Sequence, residues 1–455
     1  MQSFESTPSP PPGEWFDSRP VGAYQIVIVV LCGLTTALDG FNAQAIGYVA
    51  PSITHEWHLR PGDLGPAISL GLVALMAGAL FIAPLADRIG RRLVLIGSTL
   101  LFGLGTLATA WAPDLHGLMW LRIATGLGLG GAMPNALALT SEFMPSRRRV
   151  FLLVVMFNGF NIGSMLGGIL SAQFTQTVGW RAVFLVGGLL PILLAPVLLL
   201  LPESLSYLVR RNTESAKARF TRQLRRLGLG QGDTVSIDAY HAGASSAPAP
   251  RASVPALFAP GYGVTTCLLW VVFFMSLLDI YLLVSWVPTA LHVAGAPPTA
   301  AITAGVLLQA GAIVGSLPIG WTLDRLGPAA TLGPAFLLAA ICIAAIGHFT
   351  YDIPVTLMIA FGAGIGLIGG QAGANAVATV AYPVHLRSTG VGWALGIGRI
   401  GSIIGPAVGG MLLNAQVSIP HIFYLSAVPA LLATLATMGL RARRAARAVP
   451  ASVSL

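Results

Sequence analysis

Three ionisable residues stand inside long apolar runs: Asp39, Asp279 and Arg399. A charge in such a run is costly to hold in a membrane, so its presence signals function by default. Arginine carries a planar fork of donors that matches a carboxylate in bidentate fashion. A carboxyl group withdrawn from water favours its protonated form, so an aspartate in such a run can take up and release a proton. The chemistry expected of these three is therefore proton exchange at Asp39 and Asp279, and anion binding at Arg399. A structural ion pair of Arg399 with either aspartate is the competing reading. The two are compatible if protonating the aspartate frees the arginine. Arg122 lies near the start of its own run, where snorkelling to water competes with a functional role.

Uncharged polar residues in the same runs extend the candidate site. Asn42 follows Asp39 by three residues, Asn158 and Asn161 are three apart, and Gln371 and Asn375 are four apart. Each spacing puts both members on one helix face. Gln309 stands alone in its run. Phe41, Phe160, Tyr281, Trp286 and Trp393 supply rings that could stack on an aromatic ligand, although most such residues are packing or interfacial anchors. A second set of charges sits between runs: Asp87, Arg88 and Arg91, then Glu142, then Asp324 and Arg325.

The composition says what must position these groups. Of 455 residues 55% are hydrophobic and only 9% charged. A soluble domain carries about 25% charge, so this chain cannot cover two or three soluble domains with a polar skin. Twelve runs are long enough to cross a bilayer as helices, which takes about 20 apolar residues: 21–50, 64–86, 93–112, 117–142, 150–174, 182–201, 262–290, 300–322, 329–349, 354–380, 388–414 and 421–440. Of the 25 Lys and Arg residues, all but Arg60, Arg122, Arg181 and Arg399 fall on one side of that arrangement. By the positive-inside rule that side is cytoplasmic, and it holds both termini. The net charge of +9 is thus a topology signal, and no nucleic-acid partner is expected. Cys32, Cys267 and Cys342 match no metal or redox spacing, and no metal or cofactor is expected.

The chain repeats itself at one offset. Asp87-Arg88-Ile89-Gly90 recurs as Asp324-Arg325-Leu326-Gly327, Gly126-x-Gly128 as Gly364-x-Gly366, and Gly163-Ser164-x-x-Gly167 as Gly401-Ser402-x-x-Gly405. Two halves of six helices follow, of the kind that rock about a site at mid-membrane. The expected organisation is a tail over 1–20, a first half over 21–202, a central loop over 203–258, a second half over 259–440 and a tail over 441–455. On this repeat Asp279, in the seventh helix, is expected to be the counterpart of Asp39 in the first. Asn161 is the counterpart of Arg399. Gly364-x-Gly366-x-x-Gly369 fits a dinucleotide-binding string but lies in an apolar helix with no preceding strand. Close helix crossing is the better reading.

Ala83-Pro84-Leu85-Ala86-Asp87-Arg88-Ile89-Gly90-Arg91-Arg92 resembles the loop motif of the major facilitator superfamily, with Ala83 in place of its leading Gly. Pro202-Glu203-Ser204 is a weaker match to the same superfamily. Asp39-Gly40-Phe41-Asn42, the stretch from Arg122 to Asn135 with Leu139-Thr140-Ser141-Glu142, and the segments Arg387 to Ala394 and Gly398 to Ser402 are similar to the aromatic acid:proton symporters within it. The resemblance spans nearly the whole chain. It implies an all-α integral membrane fold of twelve transmembrane helices, a cytoplasmic charge latch and uptake of a benzoate-like carboxylate with protons. The second aspartate of that family's first-helix motif is Asn42 here. An amide does not exchange a proton near neutral pH, so Asp279 is the candidate to take its place.

The resulting expectation is a proton-coupled importer of a small aromatic carboxylate in the inner membrane, working as a monomer and not an enzyme. Asp39 and Asp279 couple protons. Arg399, Asn42, Asn161, Gln371, Asn375, Tyr281 and Trp393 bind substrate. Asp87, Arg88, Arg91, Glu142, Asp324 and Arg325 form the cytoplasmic gate. The alternatives are a transporter of another small organic anion, a sugar or a drug, and a membrane sensor of aromatic acids that does not transport.

Overall fold

The computed structural model describes residues 21–211, 213–227, 254–259, 261–382 and 384–448. The two tails as far as residue 20 and beyond 448, and loop residues 228–253, lie outside them. Among the described residues every regular element is helical. In chain order these are α1 (Ala23–Glu56), α2 (Gly65–Ile89), α3 (Arg91–Thr109), α4 (Leu115–Phe143), α5 (Ser146–Thr177), α6 (Arg181–Leu200), α7 (Leu205–Arg211), α8 (Glu214–Arg226), α9 (Gly263–Val293), α10 (Pro298–Leu326), α11 (Pro328–His348), α12 (Ile353–Val380), α13 (Val384–Asn414) and α14 (Ile419–Ala448).

Eleven of these are long and apolar enough to cross a membrane. The twelfth expected span is α4. Its 29 residues rise about 43 Å at about 1.5 Å each, against about 30 Å of hydrocarbon. Its glycines, Pro134, Arg122 and Asn135 dilute its apolar character. It compensates by packing inside the bundle against α2 and α3. Side chains that point outward are apolar: Phe81 is 77% exposed and Trp120 72%. Surface of that kind suits lipid rather than water.

The helices pair the same way twice. α1 lies on α5 as α9 lies on α13, α2 on α4 as α10 on α12, and α3 on α6 as α11 on α14. The two halves then meet along two seams, α5 on α10 and α2 on α13, with α1 against α9 between them. Glycines allow the close crossings. A Cβ added at Gly364 would stand 1.9 Å from the Leu308 carbonyl oxygen, which is why the string from Gly364 to Gly369 serves packing. Gly90 (φ 103°) and Gly327 (φ 82°) end α2 and α10 in backbone conformations that favour glycine. The repeated Asp-Arg-x-Gly loops are therefore also the repeated helix breaks.

With an even number of crossings, α1 begins and α14 ends on one face, called here the termini face. α7 and α8 lie on it and join the core of the first half, where Leu205, Phe220 and Leu224 pack with Phe143 and Met144. The expected central loop thus begins as two helices docked on the first half.

Candidate functional site

Asp39 on α1 and Asp279 on α9 are both buried, at 2% and 0% exposure. Neither Asp279 carboxylate oxygen has a hydrogen-bond partner, and Asp39 Oδ1 has none. Arg399 on α13 is half-buried. Its Nη1 donates to the Tyr281 hydroxyl at 3.3 Å, and Asp39 lies within electrostatic reach of it from the other half.

The helix crossings set the register between the halves more finely than the sequence repeat. A Cβ at Gly163 would meet the Ala37 oxygen at 1.7 Å, and one at Gly401 would meet the Phe274 oxygen at 2.3 Å. Gly40 packs on Phe160, as Leu277 packs on Gly398. Both comparisons relate α1 to α9 by 237 residues. The counterpart of Asp39 is therefore Ser276, and Asp279 is the counterpart of Asn42. This corrects the expected equivalence of Asp279 with Asp39, which used an offset of 240. The discrepancy of three residues is most of one helical turn, about 4.5 Å along the axis. Both carboxylates stay on comparable faces but one turn apart in register.

Asn42 is buried and pins α1 to α6. Its Nδ2 donates to the Leu38 carbonyl at 2.8 Å and the Gly187 carbonyl at 3.0 Å. Its side-chain oxygen is unpartnered. In the other half Ser276 bonds Gln371 Oε1, and Gln371 Nε2 donates to Asn375 Oδ1 at 3.2 Å. Gln371 and Asn375 thus form one polar strip a turn from Asp279. Asn161 pairs with Asn158 at 3.3 Å. Trp393 is not brought to this region. It is 42% exposed and stacks on Trp270 with centroids 5.8 Å apart, in a row with Phe258.

Arg122 is the residue that sequence reasoning undervalued. It does not snorkel: it is 5% exposed, with its guanidinium 5.6 Å above the Phe184 ring. Nη1 donates to the Asn42 carbonyl at 3.4 Å, while Nε and Nη2 have no partner. It lines a cavity at the junction of the halves with Gln44, Leu72, Thr125, Tyr281 and Ser285. The cavity volume is about 30 Å³, room for about one or two waters. The available signal was its neighbours, a run of glycines that lets α4 lie deep in the bundle.

The loop charges of the termini face form pairs within the first half. Arg91 bonds Glu142 at 2.6 Å, and Glu142 also accepts from Ser204 Oγ, Leu205 N and Ser206 Oγ. Glu203 accepts from the backbone N–H groups of Arg92 and Ser204, capping α3. Asp87 bonds Arg210 at 2.7 Å with both side chains more than half exposed. Arg88 is exposed, and Arg325 stacks on Trp321 at 4.1 Å. The Asp324 side chain lies outside the described residues. Hydrogen bonds that join the halves, among the described residues, lie at mid-depth or toward the opposite face: Gln309 to Ser164, Ser69 to the Ile403 carbonyl, and Gly62 and Asp63 to Asn414.

Two six-helix halves, joined along two seams with buried acids and arginines at the junction, define a transporter fold. The family model of the Major Facilitator Superfamily matches residues 32–308 and 269–453, and the chain belongs to that superfamily. It is 39% identical over 425 residues to the gallate transporter of Pseudomonas putida, covering 92% of each chain. It is 38% identical over 420 residues to the 4-hydroxybenzoate transporter PcaK of Pseudomonas aeruginosa, covering 92% of this chain and 93% of that one. These relatives are transporters, not enzymes. Among solved structures it is similar to the inward-open xylose transporter XylE of E. coli, with a TM-score of 0.72, 18% identity, and coverage of 91% and 95%, a likeness of fold.

Proposed function

We propose that this protein is a proton-coupled symporter that imports an aromatic carboxylate by alternating access. The observation that carries the reading is the set of ionisable groups at the junction of the halves. Asp39 and Arg122 come from the first half, and Asp279 and Arg399 from the second. The identity with gallate and 4-hydroxybenzoate transporters supports the substrate class. The arginine bias supports a cytoplasmic termini face; we take the protein to work as a monomer in the inner membrane, with no nucleic-acid partner.

In this mechanism a charged Asp39 balances Arg399. A proton on Asp39 releases the guanidinium, which then takes the substrate carboxylate with its free donors. Tyr281 holds the Arg399 fork in place. Arg122 lines a cavity that Tyr281, the partner of Arg399, lines from the other half, so a ligand held between the two arginines would draw the halves together. Asn42, Asn161, Gln371 and Asn375 offer partners for ring hydroxyls. Trp393, on its outlying row, is dropped from the binding set. A cavity with room for about one or two waters has to widen for a ring, and rocking of the halves supplies that volume. Asp87, Arg88, Arg91, Glu142, Asp324 and Arg325 would close the termini face in the alternate state.

The test is uptake of labelled 4-hydroxybenzoate into proteoliposomes. Accumulation is expected when the outside is acidic, and it is expected to collapse with a protonophore. Uptake that is indifferent to the pH gradient would remove the proton coupling. Transport of a neutral sugar in its place would remove the substrate class.

A further inference from the structure

We infer that Asp63 and Asn414 are the gate-positioning residues of the face opposite the termini, a two-residue latch that holds one seam shut. The inference rests on the alternating-access reading above. Asn414 ends α13, and Asp63 lies in the turn between α1 and α2. Asn414 Nδ2 donates to Asp63 Oδ1 at 2.8 Å, and Asn414 Oδ1 accepts from the Gly62 backbone N–H at 2.9 Å. The second Asp63 oxygen accepts from the Arg60 backbone N–H at 2.9 Å, which fixes the carboxylate in the turn. One amide thus spends both its polar ends across the boundary between the halves.

The backbones behind the latch are in contact. A Cβ at Gly62 would stand 2.0 Å from the Gly410 oxygen, and one at Gly410 would stand 3.2 Å from the Gly65 Cα. One turn or two deeper, Ser69 donates to the Ile403 carbonyl at 3.0 Å. The seam between α2 and α13 therefore closes as a zip whose outermost tooth is the latch. The other seam is built differently. By the repeat, the places of Asp63 and Asn414 fall there on Ala300 and Gln176, and alanine has no side-chain acceptor. At the level of the latch that seam is filled by apolar and ring contacts, with Gly168 against Val306 and Tyr48, and Gly305 against Tyr48; the hydrogen bond from Gln309 to Ser164 lies about a turn deeper.

The asymmetry has a consequence for transport. α13 carries both Asn414 at its end and Arg399 nearer its middle, so the helix that binds the carboxylate is the helix held by the latch. Opening toward the opposite face must break two hydrogen bonds at Asn414 as α13 swings from α2.

The hydrogen-bond pattern makes an exchange test possible. Asn414→Asp sets two carboxylates face to face across 2.8 Å, where like charges repel. Asp63→Asn combined with Asn414→Asp restores all three bonds and reverses one: the side chain at 63 now donates to the one at 414, while the Gly62 and Arg60 backbone N–H groups still find acceptors at 414 and 63. The full chain, with Cys32, Cys267 and Cys342 replaced, is spin-labelled at Val178→Cys and Tyr351→Cys. These positions lie on loops of the two halves at the opposite face and are 71% and 75% exposed. Distances are measured in lipid nanodiscs by pulsed electron spin resonance. Asn414→Asp should add a longer-distance population, changing the ratio of states by at least about fivefold, a typical coupling between two states. The exchange variant should return it to the parent distribution, and Asn414→Ala should shift it in the same direction by less. An unchanged distribution in both Asn414→Asp and Asn414→Ala, or an exchange variant that stays shifted, overturns the latch. The distances are read without substrate, so a shift without aromatic acid transport would sink the functional reading and leave the latch standing.

Discussion

Replacing Asp279 by Asn should change how steeply accumulation follows the pH gradient, not merely how fast uptake runs. Each proton carried with the substrate multiplies the accumulation ratio by ten per pH unit, since one unit is worth about 1.36 kcal/mol. The structure offers two buried carboxyl groups, one per half, with Asp279 on neither oxygen committed to a protein donor. Two protons with one monoanion give about a hundredfold ratio for one pH unit at zero membrane potential, and one proton gives about tenfold. Two protons also move one net charge, worth about 2.3 kcal/mol per 100 mV. Asp279→Asn should halve the logarithmic slope and abolish the response to potential. The register between the halves adds a sharper expectation. Because Asn42 is the counterpart of Asp279, Asn42→Asp combined with Asp279→Asn returns a carboxyl to the same level in the other half, and should recover part of the slope. The assay is steady-state accumulation in proteoliposomes, with the potential clamped by valinomycin and the pH step varied. Exchange of labelled for unlabelled substrate, which needs no net proton movement, checks that each variant still binds and rocks. An Asp279→Asn protein with the parent slope would refute the reasoning.

Other expectations concern the arginines and the supporting network. Arg399→Lys and Arg122→Lys each keep the charge but lose the fork; one charge-assisted bond of about 1.5–3 kcal/mol corresponds to substrate binding weaker by roughly 10- to 150-fold, measurable by calorimetry. Glu142→Ala breaks a pair that is 13% and 21% exposed, and a mostly buried pair broken on one side costs about 3–5 kcal/mol. It should lower the thermal transition of the purified protein well beyond the effect of Asp87→Ala, whose partner Arg210 is more than half in solvent. Trp393→Ala should leave substrate affinity within about twofold and lose only a stacking contact of about 0.5–1.5 kcal/mol, read as a small drop in the same transition.

The membrane class, the helices and the duplication were legible in the sequence because each is written in composition or in a short motif. Only 9% of residues are charged, so apolar runs of bilayer length had no other use. Asp87 to Gly90 and Asp324 to Gly327 marked the repeat because both must end a helix with a glycine at positive φ. Asp39, Asp279 and Arg399 stood out for the same reason that they are costly: each is a charge type inside a long, mostly apolar run. The roles of Arg122 and Trp393 were not legible. Both lie on long helices, and a helix has several faces. Which face meets the junction is set by how glycines let neighbours approach, to within about a turn. For Arg122 that approach turns a side chain near a span's start into the buried lining of the cavity. For Trp393 it turns a ring near the start of its span outward onto Trp270.

Register was the other thing that only tertiary structure decided. Repeat motifs in loops and in α5 and α13 are offset by 237 or 238 residues, whereas the two aspartates are 240 apart. On a helix that small difference moves a side chain by most of a turn, and only the crossings of Gly163 on Ala37 and Gly401 on Phe274 fix it. The latch of Asp63 and Asn414 is of the same kind. Its partners are separated by 351 residues and carry no motif, because a hydrogen bond between two chain segments needs only that packing bring one donor to one acceptor. Sequence alone determined that this chain spans the membrane as two related halves and which few charges it keeps there. Packing between helices decided which of those charges meet and on which face the halves are held closed.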